Sequence, residues 1–488
     1  MDLKEYLRST PESGLSTSAI SWLASLELLQ ADHPDVAQAI IGHLQLERSH
    51  LKMIASENHS SLAVQLAMGN LLTDKYAEGT PQHRFYPGCE QVDFLEALAR
   101  DRLKELFDAQ HAYVQPHSGA DANMVAFWSI LTTRIQNRGI EQLNKKRLDD
   151  LSPQEYEALR QTLVNQTVLG MSLNSGGHLT HGYRHNISSK MMRACYYDVD
   201  PKTHRLDYQA IRQIARREKP LILIAGYSSY TRLIDFAEMR SIADEVGAVL
   251  LVDMAHFAGL VAGKAFTGNY NPVPFAHMVT STTHKTLRGP RGGFILSSNE
   301  FKAAVDKGCP LVLGGPLPHV MAAKAVAFRE ALDPSFREYA RQVVLNAQTL
   351  AEQLLAEGMT LLTGGTDNHQ ILVDLTPLKL TGLQGAEILS SAGIYVSRNT
   401  IPNDPNGPWH TSGLRIGSQA LTSRGMGAEE MRTIGKVIAQ LLRHTDPLTA
   451  KQGSEIIQEL TLRFPLYPEL PLFPDVKAHD TRVRSSAR

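Results

Sequence analysis

The sequence predicts an α/β protein on a mostly parallel sheet, divided into more than one domain. Ala248 to Val252, A-V-L-L-V, is an unbroken apolar run without alternation, as a strand covered on both faces requires. Pro220 to Ala225 is a second such run. Ala112 to Val114 passes directly into a small-residue turn and then an apolar helix ending near Leu131. Repeated strand, turn and helix units imply parallel pairing with right-handed crossovers. At 488 residues the chain exceeds one ordinary core, so two or three domains are expected.

Taken in order, residues 1 to about 30 mix Ser, Thr, Pro and Gly around a short helix, Thr17 to Leu29, and read as an arm. Pro34 to Lys52 carries Val36, Ile40, Leu44 and Leu51 at helical spacing. Leu71 to Glu90 is a Gly- and Pro-broken loop dense in Tyr, Glu and Arg, which reads as a site rather than a connector. The alternative is that Tyr76 and Tyr86 are packing residues. Val92 to Phe107 is helical by its apolar spacing. Arg134 to about Asn165 is strongly polar and reads as an insertion. Within it Ser152-Pro153-Gln154-Glu155 forms a capping box with proline at the first helical position, which makes part of the insertion helical. Thr167 to Leu173 is strand-like. From about Asp333 a long helix, Glu338 to Glu357, opens a further domain. The division is 1–45 arm, 46–332 large domain, 333–467 small domain and 468–488 tail.

Composition excludes several function classes. The formal charge is −1, without the basic excess of a nucleic-acid or membrane-surface protein. Hydrophobic residues make up 43% of the chain, yet no run is long enough to span a bilayer, and Met1 to Arg8 lacks the apolar core of a signal peptide. Three dispersed cysteines offer neither a disulfide framework nor a C-x-x-C metal site. A cytoplasmic location is expected, with small molecules or a second copy as partners.

The chemistry gathers in two stretches. Val279 to Gly293 reads V-T-S-T-T-H-K-T-L-R-G-P-R-G-G and holds Lys285 at an element's end. Nearby cations lower an amine's pKa, which suits a Schiff-base nucleophile; the alternative is a solvated surface lysine. Upstream, the run Ala248 to Val252 delivers Asp253 to a strand's carboxyl end, where ligands bind in open α/β sheets. A buried carboxylate there can pair with the protonated pyridine nitrogen of pyridoxal phosphate. Strand, Q-P-H-S-G-A turn and helix at 115–131 is a geometry that holds a phosphate. His178 and His181 form an H-x-x-H pair that looks like metal ligands, although no third ligand lies nearby in the sequence. Arg415, between apolar neighbours, needs an anionic partner, either a substrate carboxylate or an internal salt bridge.

The segments K-Y-A-E-G, Q-P-H-S-G-A, V-D-M-A-H-F-A-G-L and T-T-H-K-T-L-R-G-P-R-G-G together closely resemble serine hydroxymethyltransferases over about Asp32 to Tyr467. The resemblance implies an aspartate-aminotransferase-like fold (PLP fold type I), pyridoxal 5'-phosphate as cofactor, and a homodimer clasped by the arm. The implied reaction is reversible conversion of L-serine and tetrahydrofolate to glycine and 5,10-methylenetetrahydrofolate through an aldimine on Lys285. It assigns Asp253 to the ring nitrogen and His178 to stacking on the ring, with His256 and Ser228 on its oxygen side and Thr282 among the cofactor-binding residues. Ser118 and Gly119, with Tyr76, Gly314 and Gly315 from the partner, would hold the phosphate. Arg415, Ser56 and Tyr86 would bind the amino-acid carboxylate. Glu78 from the partner is the acid-base group, and Leu173, Gly177, Leu179, Asn399 and Trp409 line the folate pocket. Three departures stand out: Ala120 where the family has serine, Phe85 for a tyrosine, and Leu311-Val312-Leu313 in a glycine-rich loop. A folate-independent enzyme on the same fold, of threonine aldolase or racemase type, shares Lys285 and Asp253. A catalytically silent binding protein is the other alternative.

Overall fold

The structure, a computed structural model, describes residues 2–471; residues 472–488, most of the expected tail, lie outside the described residues. Seven strands form the large sheet in the spatial order His111–Tyr113, Gly293–Ser297, Met278–Thr282, Val249–Asp253, Ile222–Gly226, Thr167–Met171 and Arg193–Tyr197. Gly293–Ser297 runs antiparallel to both its neighbours, and the remaining pairings are parallel. The predicted fold class is therefore the one observed.

Alternation explains why the central runs are apolar throughout. Leu250 and Val252 pack into one core with Leu103, Phe107, Phe257 and Phe328, while Val249 and Leu251 pack on the opposite face with Val125, Ile130 and Phe301. Every residue of Val249–Asp253 is buried, so the strand's polar end group is buried with it.

A second core belongs to a four-stranded sheet ordered Thr360–Leu361, Gln370–Asp374, Gly413–Gly417, Ser397–Asn399, backed by helices 334–356 and 428–443. Leu51 and Met53 pack in this core, and Leu51–Lys52 pairs in parallel with Ile394–Tyr395. The sequence division had placed both residues in the large domain. The helix expected to run to Lys52 ends at Ser49. Its buried face is Ala37, Ile41 and Leu44, whereas Val36 and Ile40 are exposed. Residues 134–165 are ordered into helices Asn137–Gln142 and Pro153–Val164, the latter closed by the reciprocal Ser152–Glu155 capping box. No helix among the described residues is long and apolar enough to cross a membrane.

Candidate active site

Lys285 follows the Met278–Thr282 strand, which continues through the hydroxyl residues Thr280, Ser281 and Thr282. β-Branched threonines suit the pleat, and their hydroxyls find local acceptors: Thr280 Oγ1 donates to Asn123 Oδ1 at 2.6 Å, and Ser281 Oγ to the Thr282 carbonyl at 2.8 Å. The chain then turns through Arg288 at φ 58°, with the Gly289 amide donating to the Thr283 carbonyl at 2.7 Å. Lys285 is only 9% exposed, which removes the surface-lysine alternative. Burial lowers its amine to about 8, with Arg415 and Arg291 adding to the fall and Asp253 opposing it. The flanking arginines invoked from sequence are therefore the lesser cause.

Asp253 is satisfied on both oxygens. Oδ1 accepts from the Ala255 amide at 3.0 Å; Oδ2 accepts from Asn123 Nδ2 at 2.9 Å and from His181 Nε2 at 3.0 Å. Burial alone would push this carboxyl up, but the hydrogen bonds from His181 and Asn123 hold it well below the usual carboxylate range. The His178 amide donates to His181 Nδ1 at 3.2 Å, which fixes the tautomer that presents Nε2–H to Asp253. His178 Nδ1 lies 2.7 Å from Thr180 Oγ1, and burial lowers its imidazole to about 4, so it is neutral. His178, His181 and Asp253 also bring ligand-type atoms within 4.8 Å of one another. The acidic third partner that the H-x-x-H pair lacked in sequence is thus present in space, already used as a hydrogen-bond acceptor. Asn123 was not singled out from sequence, and His181 was read only as half of an H-x-x-H pair.

The phosphate-type turn opens the Gly119–Leu131 helix. Ser118 is its N-cap, its Oγ accepting from the Asp121 amide at 3.1 Å, which leaves its O–H free to donate to a phosphate. A Cβ on Gly119 would stand 2.7 Å from Thr282 Cγ2, and one on Gly293 would stand 2.2 Å from the Ser118 carbonyl. The turn and the lysine-bearing strand therefore meet through glycines. Behind them Lys324, 1% exposed, donates to the carbonyls of Val114 at 2.5 Å, Pro116 at 2.9 Å and Gly293 at 2.8 Å. Burial lowers this second lysine to about 7, while the three carbonyls favour its ammonium.

Arg415 Nη1 donates to the Ser228 carbonyl at 2.8 Å and to its Oγ at 3.2 Å, and its Nε is buried without a partner. Among the described residues no carboxylate pairs with it, which sets aside the internal salt bridge. Burial lowers the guanidinium only to about 10, so it stays charged. Ser56 lies on the loop that packs against Gly417, whose added Cβ would stand 2.6 Å from Ala55 Cα. His256 is 1% exposed and held well below its ordinary pKa by burial, with Lys285 and Arg415 adding to it; Gln370 Nε2 lies 2.7 Å from its Nδ1. Gln370 is a further residue that sequence reasoning missed, and nothing in its local sequence marks it.

Two groups of expected residues stand apart from this centre. Tyr76, Glu78, Tyr86 and Gly315 form a cluster, with Gly314 next to it in sequence, and the Gly315 carbonyl lies 3.0 Å from His117 Nε2 in the phosphate-type turn. Tyr76 and Tyr86 rings meet edge to face at 5.2 Å, the Glu78 carboxylate raises the Tyr86 phenol's pKa, and a Cβ on Gly315 would lie 3.4 Å from Tyr76 Cε1. Tyr76 is 59% and Tyr86 42% exposed, which removes the packing alternative for both. No hydrogen bond or ion pair among the described residues joins this cluster to Lys285, Asp253 or Arg415. Among the folate assignments, Asn399 lines a small cleft with Asn174, Ser175 and Gly176, between Leu173 and Gly177. Leu179 and Trp409 are exposed, and neither lines that cleft.

A lysine amine and a multiply hydrogen-bonded aspartate buried at the carboxyl ends of neighbouring strands, with an open helix N-terminus and an unpaired arginine, fit pyridoxal 5'-phosphate. They define a PLP-dependent enzyme of fold type I. The family model described as serine hydroxymethyltransferase matches residues 29–144 and 152–438. Proteins named serine hydroxymethyltransferase are 53% identical in Treponema pallidum (98% of this chain, 86% of that one), 53% in Mycolicibacterium smegmatis (93% and 96%) and 52% in Chlamydia trachomatis (96% and 98%). The chain belongs to the serine hydroxymethyltransferase family. The match also narrows the insertion: only 145–151 lacks a counterpart in the family model, not the whole of 134–165.

Proposed function

We propose that this chain converts L-serine and tetrahydrofolate to glycine and 5,10-methylenetetrahydrofolate in the cytoplasm, as a homodimer whose two sites each draw on both subunits. The observation that carries this reading is Arg415, half-buried with a buried, unpartnered Nε and no carboxylate partner among the described residues, close enough to Lys285 and His256 to lower the pKa of each. An α-amino acid supplies both the missing carboxylate and an amine for the lysine's site.

Pyridoxal phosphate, when bound through Lys285, supplies an electron sink for bond cleavage at the amino acid. Asp253 holds a proton on the ring nitrogen, a role that needs a carboxylate ionised at neutral pH. His178 would stack on the ring, Ser228 and His256 would contact its oxygen side, and Thr282 would add to the cofactor-binding surface. Ser118, Gly119 and the helix N-terminus take the phosphate with the partner subunit's Tyr76, Gly314 and Gly315. Arg415 orients the carboxylate with Ser56 and Tyr86. The partner subunit's Glu78 moves the proton at the serine hydroxyl, and Leu173, Gly177, Leu179, Asn399 and Trp409 contact the folate.

The deciding measurement is glycine formation from serine with and without tetrahydrofolate. Turnover that needs the folate is expected. Retro-aldol cleavage or racemisation at full rate without it would favour the folate-independent reading.

A further inference from the structure

Gln115, the first residue of the Q-P-H-S-G-A turn, has no place in the reading above, yet it is 1% exposed and fully hydrogen-bonded. Its Nε2 donates to the Gly79 carbonyl at 2.8 Å and to Glu96 Oε1 and Oε2 at 3.0 and 3.1 Å. Its Oε1 accepts from the Tyr113 hydroxyl at 2.9 Å, which in turn accepts from the Cys309 amide at 2.7 Å. Glu96, 0% exposed, also accepts from Arg84 Nη2 at 2.6 Å. Arg84 Nη1 then donates to the carbonyls of Ala77 and Gly79, both at 2.9 Å, the residues on either side of Glu78. The hairpin Gly79–Thr80/His83–Arg84 has no slack of its own: Gly79 sits at φ 99°, and a Cβ there would stand 2.2 Å from the His83 carbonyl. Lys324 grips the carbonyls on both sides of Gln115, so the amide is presented from a fixed backbone.

We propose that Gln115 is a positioning residue that sets the Glu78 carboxylate through the Gly79 carbonyl, and so acts on the partner subunit's active site rather than on its own. This rests on the shared-site reading. The rival is that Gln115 acts through the adjoining turn of Ser118 and Gly119, within its own site. The two differ in which subunit's Lys285 feels the change, and mixed dimers separate them.

Gln115→Asn keeps the amide but is one methylene too short to reach Gly79. The homodimer is expected to lose about tenfold or more in kcat, the scale of a misplaced catalytic group, with the KM for serine little changed. Differently tagged Gln115→Asn and Lys285→Ala chains are then refolded together and the mixed dimer purified. One site in it combines Lys285 of the Gln115→Asn chain with Glu78 of a chain whose Gln115 is intact. That site is expected to work normally, giving about half the wild-type turnover per dimer. Turnover at the Gln115→Asn level would show that the defect stays with its own Lys285 and would overturn the proposal, as would wild-type kcat in the homodimer. The mixed dimer of Lys285→Ala with Glu78→Gln is the control. If it stays inactive, the shared-site reading itself fails; if it recovers while the Gln115→Asn pairing does not, only the positioning role fails. Should Gln115→Asn not fold, Glu96→Gln in the same pairing tests the same connection, with the same outcomes expected.

Discussion

Lys285 shows how a single side chain's reactivity follows from its surroundings. Its ordinary pKa of 10.5 falls to about 8 on burial, so the neutral, nucleophilic amine becomes abundant as pH rises through about 8. Capture of pyridoxal phosphate by apoenzyme is expected to accelerate across that interval and level off above it, followed by stopped-flow absorbance. Lys285→Ala should show no covalent capture at any pH, because Lys324, the other buried lysine among the described residues, is held by three carbonyls. Ala120 is a second residue-scale case. It is exposed at the helix N-terminus beside Ser118, whose Oγ accepts from the Asp121 amide and keeps its O–H as the one side-chain hydroxyl donor of the turn. Ala120→Ser should tighten cofactor binding by up to about tenfold, the worth of a hydrogen bond to a charged group. A dissociation constant that is unchanged or weaker would mean that backbone donors already satisfy the phosphate.

Among the elements, the helix Pro318–Leu332 does more than cover the sheet, because Lys324 on its buried face ties the ends of two strands and the phosphate-type turn together. Lys324→Met removes all three donors while keeping most of the side-chain volume, so the Val114 and Gly293 carbonyls lose this partner, whereas Pro116 keeps the Gly293 amide at 3.0 Å. The cost is expected to be about 2 kcal/mol or more, since each unsatisfied buried group costs about 1–3 kcal/mol. Calorimetry of the apoenzyme should show it as a fall in Tm. An unchanged Tm would mean that water or neighbouring amides replace the ammonium. The strand Val249–Asp253 works in the opposite sense: its apolar residues pay for the burial of one carboxylate at its end, where His181 and Asn123 meet it.

For the whole molecule, the decisive feature is that Glu78, Tyr76, Tyr86 and Gly315 assemble with one another on the surface and make no hydrogen bond or ion pair with the lysine centre among the described residues. A two-fold dimer can bring this cluster to the other subunit's lysine twice over. Lys285→Ala and Glu78→Gln chains, each inactive alone, are therefore expected to regain activity when refolded together. Random pairing makes about half the dimers mixed, and one site in each escapes both lesions, so roughly a quarter of all sites should work. The measurement is turnover per site after mixing, with each parent refolded alone as reference.

Much of this was legible in the sequence because it depends on local pattern. Unbroken apolar runs determined buried strands, small-residue turns determined where strands hand over to helices, and these placed Asp253, Lys285 and the phosphate-type turn at strand ends. The Ser152–Glu155 capping box determined its helix for the same reason: both partners lie within one turn. Only the tertiary structure decided which polar groups meet. The Asn123 and His181 contacts to Asp253, Gln370 beside His256, and the Gln115–Glu96–Arg84 chain join residues far apart in sequence. Leu51 and Met53 likewise gave no local sign that they belong to the second core, since their partners are a strand and helices from the other end of the chain. The alternatives for Arg415 could not be separated from sequence, because a buried charge announces the need for a partner but not its identity. The fold brings Arg415 to Ser228 and no carboxylate to Arg415 among the described residues, which removes the internal salt bridge.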